Sequence, residues 1–266
     1  MSAVGRSGVI AICVFAFMTI FPQNPRGDAM LEGVPSGKTR VVDLTYAISD
    51  KLVPWPGDEK FFEAKVNATI EKNGYFTRSF WMLEHYGTHM DAPAHFPPGK
   101  ITIDQIPAKK LMGPAVVLDV RAESAKDADY QVPAGFVEAW EKKHGRIPEG
   151  AIVLLRTGWS SRWPDVKRYR NQDAQGKMHF PGFSTEAAKL LIERKVSGLG
   201  CDTLSIDFGA SGDFAVHHLT LGTGLYHLEN LADLSELPET GAFLIVAPIK
   251  LEGGSGGPVR VFALLP

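Results

Sequence analysis

Apolar residues along this chain fall mainly into short blocks separated by turns, and three stretches carry helical spacing. Residues 40–46 (R-V-V-D-L-T-Y) predict a first strand. Residues 76–84 predict another, in which Ser79, Trp81 and Leu83 alternate with Phe80 and Met82, so both faces are expected to be buried. Residues 115–120 (A-V-V-L-D-V) form the short apolar run of a strand covered on both faces. Residues 151–159, 198–206, 242–249 and 259–265 read as further strands, with a Gly-rich turn between the last two. Helical spacing places Phe136, Val137 and Trp140 on one face of a helix over 134–144, stopped by Gly145. Ser184 caps a second helix over 185–195, with Glu186 in its first turn and Arg194 and Lys195 in its last. A third is expected to start around Tyr226 and run toward Leu234. Pro54, Pro56 and Gly57 mark a turn, and the polar residues 160–180 predict a long loop. Strands and helices do not alternate strictly, which argues against a simple doubly wound sheet. The pattern predicts an α/β protein with a mixed sheet and helices packed outside it.

The amino-terminal segment breaks this pattern. Arg6 precedes an uncharged, mostly apolar run over 8–21, short for a bilayer but suited to the apolar region of a secretory signal. Pro22 and Pro25 end it, and Gly27-Asp28-Ala29 offers a small-x-small cleavage site. The expected organisation is a signal peptide over 1–29, a linker over 30–38 and a single domain over 39–266. The mature protein is then secreted or periplasmic, with no stable membrane insertion. The alternatives are an uncleaved anchor, or a true start at Met30 and a cytoplasmic protein. Cys13 falls in this segment, so Cys201 alone remains in the mature chain and no internal disulfide forms. Its apolar surroundings mark Cys201 as a buried small residue. A 44% hydrophobic content and 22% charged content describe a globular chain of 266 residues, and a net charge of −2 without charge runs points to no nucleic acid or anionic membrane surface as a partner.

The chemistry concentrates in H-Y-G-T-H-M-D-A-P-A-H, from His85 to His95. His85, His89 and Asp91 stand at even offsets, so an extended backbone turns all three to one face. Gly87, Thr88 and Pro93 disfavour a helix there, and a turn at Pro93 could bring His95 over the same face. Imidazole and carboxylate are the ligands of Zn²⁺ and Mn²⁺, and catalytic sites often use three protein ligands and a water. Tyr86 stands where a zinc protease of the HExxH type carries its glutamate. Elsewhere, His144 reads as a solvated helix end, and His179 lies in a Met-His-Phe-Pro-Gly turn that could line a substrate pocket. His217 and Glu229 lie twelve apart, with Gly222-Thr223-Gly224 between them. An isolated buried Glu229 would be unfavourable, which a cation would offset; a capping or ion-pair role is the plainer reading. No G-x-S-x-G occurs, which disfavours a Ser-His-Asp hydrolase.

These motifs resemble those of the metal-dependent cyclase family that includes bacterial kynurenine formamidases and isatin hydrolases. The pattern H-x-G-T-H-x-D-x-P-x-H is matched at His85, Gly87, Thr88, His89, Asp91, Pro93 and His95. Asp43-Leu44-Thr45, the turn Pro54-Trp55-Pro56-Gly57-Asp58, G-x-D-T-x-S-I-D over 200–207 and Glu229-Asn230-Leu231 extend the similarity over about residues 40–265. The resemblance implies a swivelling β/β/α domain, a homodimer or larger homo-oligomer, and one or two divalent ions. It implies that His85, His89 and Asp91 hold one ion, and that Asp91 and Glu229 bridge to a second, which His217 also binds. His218 competes with His217 for that role. His95 becomes the proton donor and acceptor, and Trp55 a wall of the substrate pocket. The chain is longer than the compact formamidases over 122–177, and pocket walls could come from that insertion. The expected activity is hydrolysis of the C–N bond of an aryl amide, an N-formyl aryl amine or a cyclic amide such as isatin, by a metal-activated water. A lactone hydrolase or dehydratase of the same fold, and a non-enzymatic metal-binding protein, are the alternatives.

Overall fold

The computed structural model describes residues 30 and 32–265; the expected signal segment and Cys13 lie outside the described residues. Among the described residues no helix is long and apolar enough to cross a membrane. In chain order the strands are β1 (Arg40–Asp43), β2 (Phe62–Ala68), β3 (Thr77–Met82), β4 (His89–Asp91), β5 (Met112–Asp119), β6 (Gln131–Val132), β7 (Ile152–Arg156), β8 (Gly182–Phe183), β9 (Gly198–Cys201), β10 (Tyr226–Glu229), β11 (Phe243–Pro248) and β12 (Gly256–Leu265).

The main sheet runs β1-β12-β11-β5-β7-β9-β10-β4, and β4 pairs again with β12, which closes the sheet into a barrel. β5, β7, β9 and β10 are parallel neighbours, and the remaining pairings are antiparallel. Parallel neighbours need crossover connections. The helix Ala134–His144 lies between β5 and β7, Thr185–Glu193 between β7 and β9, and Ala215–Gly222 between β9 and β10. Closure depends on β12. Its residues 256–258 pair with β4, and from Val259 onward it pairs with β11. A side chain at Gly256 would collide with the His85 ring and the Met90 carbonyl, so only glycine lets β12 approach there.

The alternation along each barrel strand sorts side chains into two cores. Met90, Val117, Leu154, Leu228, Leu244 and Val261 belong to the cluster that fills the barrel. Val116, Leu118, Val153, Leu155, Leu199 and Cys201 face outward and pack with Val137, Trp140, Ala187, Leu191 and Val216 of the helices. Trp140 Nε1 donates to the Val117 carbonyl oxygen at 3.0 Å, which ties the first helix to the barrel wall. Burial, together with the nearby Glu229 charge, pushes the Cys201 thiol well above its usual range, so it stays protonated.

The pattern reading holds for the mixed sheet with outer helices, the helix over 134–144 and the Ser184 cap, whose side chain accepts from Ala187 N. Four local expectations change. Residues 226–229 form a strand, not the start of a helix: the segment alternates Tyr226 and Leu228 into the barrel with His227 and Glu229 outward. The third helix is instead Ala215–Gly222, ended before Gly224, which has a φ of 86°. β3 is not covered on both faces; it pairs only with β2, and Phe80 and Trp81 are 62% and 44% exposed. Residues 160–180 contain a 3₁₀ turn, Trp159–Arg162, and a short helix, Val166–Arg170, and so are not a plain loop.

Leu228 sits wholly inside the barrel between two outward polar residues. Leu228→Ala is expected to lower stability by about 2–5 kcal/mol, the range for a cavity left by a deleted core leucine. Urea denaturation of the metal-free protein measures it. A loss near zero would mean that β10 does not present this side chain to the barrel.

Candidate metal centre

β4 and β10 build the floor of the site. Their antiparallel register sets His89 opposite Glu229 and Asp91 opposite His227. Met90 and Leu228 point into the barrel, so the four polar side chains between them share the outer face. His85 is not part of the strand. The backbone bends at Gly87, where φ is 69°, and this turn folds His85 back over Asp91. The even-offset argument therefore holds for His89 and Asp91 only. His217 comes from the first turn of the helix Ala215–Gly222. His218 is exposed on the same helix, which leaves His217 as the histidine that faces the cluster.

The Asp91 carboxylate, buried at 1% exposure, stands at the centre. Its Oδ1 lies 2.6 Å from His85 Nδ1 and 3.2 Å from His89 Nε2. Its Oδ2 lies 3.3 Å from His217 Nε2 and 3.4 Å from His227 Nδ1. Glu229 repeats the division: Oε1 is 3.3 Å from His217 Nε2, and Oε2 is 3.5 Å from His89 Nε2. The Ile206 amide also donates to Glu229 Oε1 at 3.0 Å.

Outer partners decide which imidazole nitrogen carries hydrogen, a tautomer inferred from the hydrogen-bond network. His89 Nδ1 meets the Gly87 carbonyl at 3.0 Å, which can only accept. His217 Nδ1 meets Asp207 Oδ2 at 2.6 Å, and the same carboxylate accepts from the Val216 and His217 amides. Ser255 Oγ donates to Glu84 Oε2 at 2.7 Å, so at 2.9 Å it accepts from His85 Nε2. In each ring the nitrogen nearest Asp91 is thus left as a lone pair. Lone pairs and carboxylate oxygens are all acceptors, and acceptors converging in a buried space call for a cation.

The charge balance agrees. Burial opposes charge on His89, but hydrogen bonding to Asp91 and the charges of Asp91 and Glu229 raise it to about 9. His217 is raised well above its usual value against burial by Asp207, Asp91 and Glu229. Burial works against the Asp91 charge, and its histidine partners hold it well below the carboxylate range. The cluster attracts positive charge, and a divalent ion meets the same demand. Asp91 Oδ2 is buried without a hydrogen-bond partner, as is His227 Nδ1. The donor set, imidazoles and carboxylates without thiolate, fits Zn²⁺ or Mn²⁺.

His95 ends the 3₁₀ turn Pro93–His95 and stacks on His85, with ring centroids 3.8 Å apart at 22°. Burial pushes it down to about 3 against the opposing charge of Asp91, so it is neutral at pH 7. It lines a cavity of about 510 Å³ with His85, His89, His217 and Glu229. Trp55 lies in the same wall, tilted against Phe214 at 6.0 Å. His179, expected in the pocket, is elsewhere: Asp129 holds its Nδ1 at 2.7 Å and Asp173 lies 3.4 Å from its Nε2. The 122–177 insertion contributes no wall either; the lining comes from residues 53–58, 83–96, 204–205 and 214–230. His144 pairs with Glu239 at 2.5 Å, far from this chemistry. Sequence reasoning missed Asp207, Phe96, Phe214 and His227. The signal for His227 was its position two before Glu229, which marks one face of a strand and which a helical reading conceals.

The Cyclase family model matches residues 42–208. An isatin hydrolase of Roseibium aggregatum is 35% identical over 247 residues, covering 87% of this chain and 94% of that protein. A kynurenine formamidase of Salinibacter ruber is 28% identical over 225 residues, 83% of this chain and 95% of its own. The solved structure of an isatin hydrolase bound to the product analogue thioisatinate matches with a TM-score of 0.83 at 32% identity, covering 91% of this chain and 98% of that one.

Proposed function

This chain belongs to the Cyclase family and is a metal-dependent hydrolase of amide C–N bonds; on that premise we propose that its substrate is a flat, uncharged aryl amide of the isatin type. The observation that carries the reading is the character of the cavity above the cluster. Val53, Leu83 and Leu204 with the aromatic Trp55, Phe96 and Phe214 form an apolar wall suited to a planar ring. Among the described residues no lysine or arginine lines it, while Asp58 and Glu84 do. Formylkynurenine carries an α-ammonium, which Asp58 or Glu84 could meet, and an α-carboxylate, which no lysine or arginine of the lining meets, whereas isatin carries no charge.

In this reading His85, His89 and Asp91 would hold one ion, and Asp91, Glu229 and His217 would hold a second. A bound Zn²⁺ or Mn²⁺ supplies a water acidified toward neutrality and a Lewis acid for the amide carbonyl oxygen. His95, neutral at pH 7, accepts the proton of the attacking water and returns it to the departing aryl nitrogen. The aryl ring delocalises the nitrogen lone pair, which eases its departure. Asp207, Gly87 and Ser255 hold the rings that face the carboxylates, so little reorganisation is needed when charge develops. Purified protein assayed for metal content and against isatin, formylkynurenine and a lactone panel tests this. Isatin is expected to give the highest kcat/KM. Bound metal with turnover of lactones alone, or of nothing, sinks the proposal.

The same reading includes self-association. The β2–β3 hairpin stands apart from the barrel sheet and exposes Val66, Phe76, Phe80 and Trp81 beside a groove of about 780 Å³. An apolar ribbon of this kind is unfavourable in water and suits a second copy of the chain. Phe80→Glu combined with Trp81→Glu is expected to shift a dimer toward monomer in light scattering after size exclusion. A wild-type protein that is monomeric at every concentration removes this part of the reading.

A further inference from the structure

We propose that His227 is a metal ligand, which through Nδ1 closes a four-donor inner site with Asp91, His217 and Glu229, while the outer ion of His85, His89 and Asp91 stays open to the cavity. The inference rests on the two-ion reading above and extends it to a residue outside the family pattern.

The hydrogen bonds of His227 fix its tautomer. Its Nε2 lies 2.7 Å from Thr220 Oγ1. Thr220 has one hydroxyl hydrogen and donates it to the Val216 carbonyl at 2.7 Å, one helical turn back. The hydroxyl therefore accepts from His227 Nε2–H, and Nδ1 carries a lone pair. That lone pair faces Asp91 Oδ2 across 3.4 Å, and both atoms are buried without a hydrogen-bond partner. Two acceptors held face to face in a dry interior are unfavourable unless a cation lies within reach of both. One donor atom from each of Asp91, His217, His227 and Glu229 falls within 4.8 Å of the other three, and all four residues are buried.

The arrangement makes the two sites different in kind. Of the four inner donors His217 and Glu229 reach the cavity while Asp91 and His227 do not, so His227 closes the inner site on the side away from the cavity. Four protein donors leave an ion of zinc type no open position, the mark of a structural site. His85 and His89 line the cavity, and with Asp91 Oδ1 they leave a position for water, the mark of a catalytic one. The inner ion then fixes Asp91 and Glu229, and the outer ion meets the substrate.

The test counts ions. Wild type, His227→Leu and Thr220→Val are loaded with Mn²⁺ or Zn²⁺, dialysed against a weak chelator and measured by elemental analysis, with titration calorimetry for affinity. The wild type is expected to keep one slowly exchanging ion after the outer one has gone. His227→Leu is expected to lose that ion or to bind it at least about 100-fold more weakly, and Thr220→Val, which leaves the ligand but frees the ring, about 10-fold. Thr220→Val keeps the test open should His227→Leu fail to fold. Unchanged ion content and affinity in folded variants overturns the assignment of His227 and leaves the hydrolase reading standing. A wild-type protein that takes up neither metal sinks both.

Discussion

Asp91→Asn is expected to empty the cluster and lower hydrolysis by at least about 10³-fold, since the ion contributes several kcal/mol of charge stabilisation. Asp91 turns one oxygen to His85 and His89 and the other to His217 and His227. Glu229 reaches only one histidine of each pair, His217 and His89, so Asp91 is the carboxylate whose charge serves every ion the site holds. Asparagine keeps the shape but removes the charge, and its amide nitrogen places hydrogens where lone pairs converge. Elemental analysis reads the metal, and the thermal midpoint reads the coupled stability: metal raises the midpoint of wild type by mass action and leaves the variant unmoved. A variant that retains its metal and a tenth of its activity would show that Asp91 does not bridge.

His95→Ala is expected to separate binding from turnover. The ring stacks on His85 at 3.8 Å, and although one of its nitrogens lies within 4.8 Å of the donor atoms of His85 and Asp91, it is not among the proposed ligands, so its removal is expected to leave them in place. Metal content is expected to match wild type, while kcat falls by about 10²–10⁴, the range for a general acid–base group. Burial holds the ring neutral against the opposing charge of Asp91, so an unprotonated nitrogen is available at pH 7. Single-turnover kinetics with isatin separate proton transfer from release. Full activity in the metal-loaded variant would remove His95 from the reaction.

The legible and the hidden parts of the site differ for a physical reason. His85, His89, Asp91 and His95 are close in sequence, and local backbone rules alone bring them near one another. His217 and Glu229 were found by their chemistry, as isolated groups in an apolar setting. His227 was lost because residues 226–229 are buried on both faces, and without an exposed face such a run shows little of its period. Barrel closure was hidden for another reason: β4 pairs with β12 across more than 160 positions, through three residues that carry no strand signature of their own. His179 had the right neighbours for a pocket turn, yet two acidic side chains claim its ring, and nothing local distinguishes those outcomes. The exposed aromatics of β3 read as core because alternation of large side chains records that a face is to be covered, not which chain covers it.

β4 is the narrowest join in the closed sheet, three residues held by β12 on one flank and β10 on the other. The side chains of that join are also the proposed metal ligands, so a bound metal would act as a clasp across a seam. Chelation should loosen the molecule there first. Amide protons at Met90 and Leu228 are expected to lose exchange protection when the ion is withdrawn, while those at Val117 and Leu154, on the opposite wall, keep theirs.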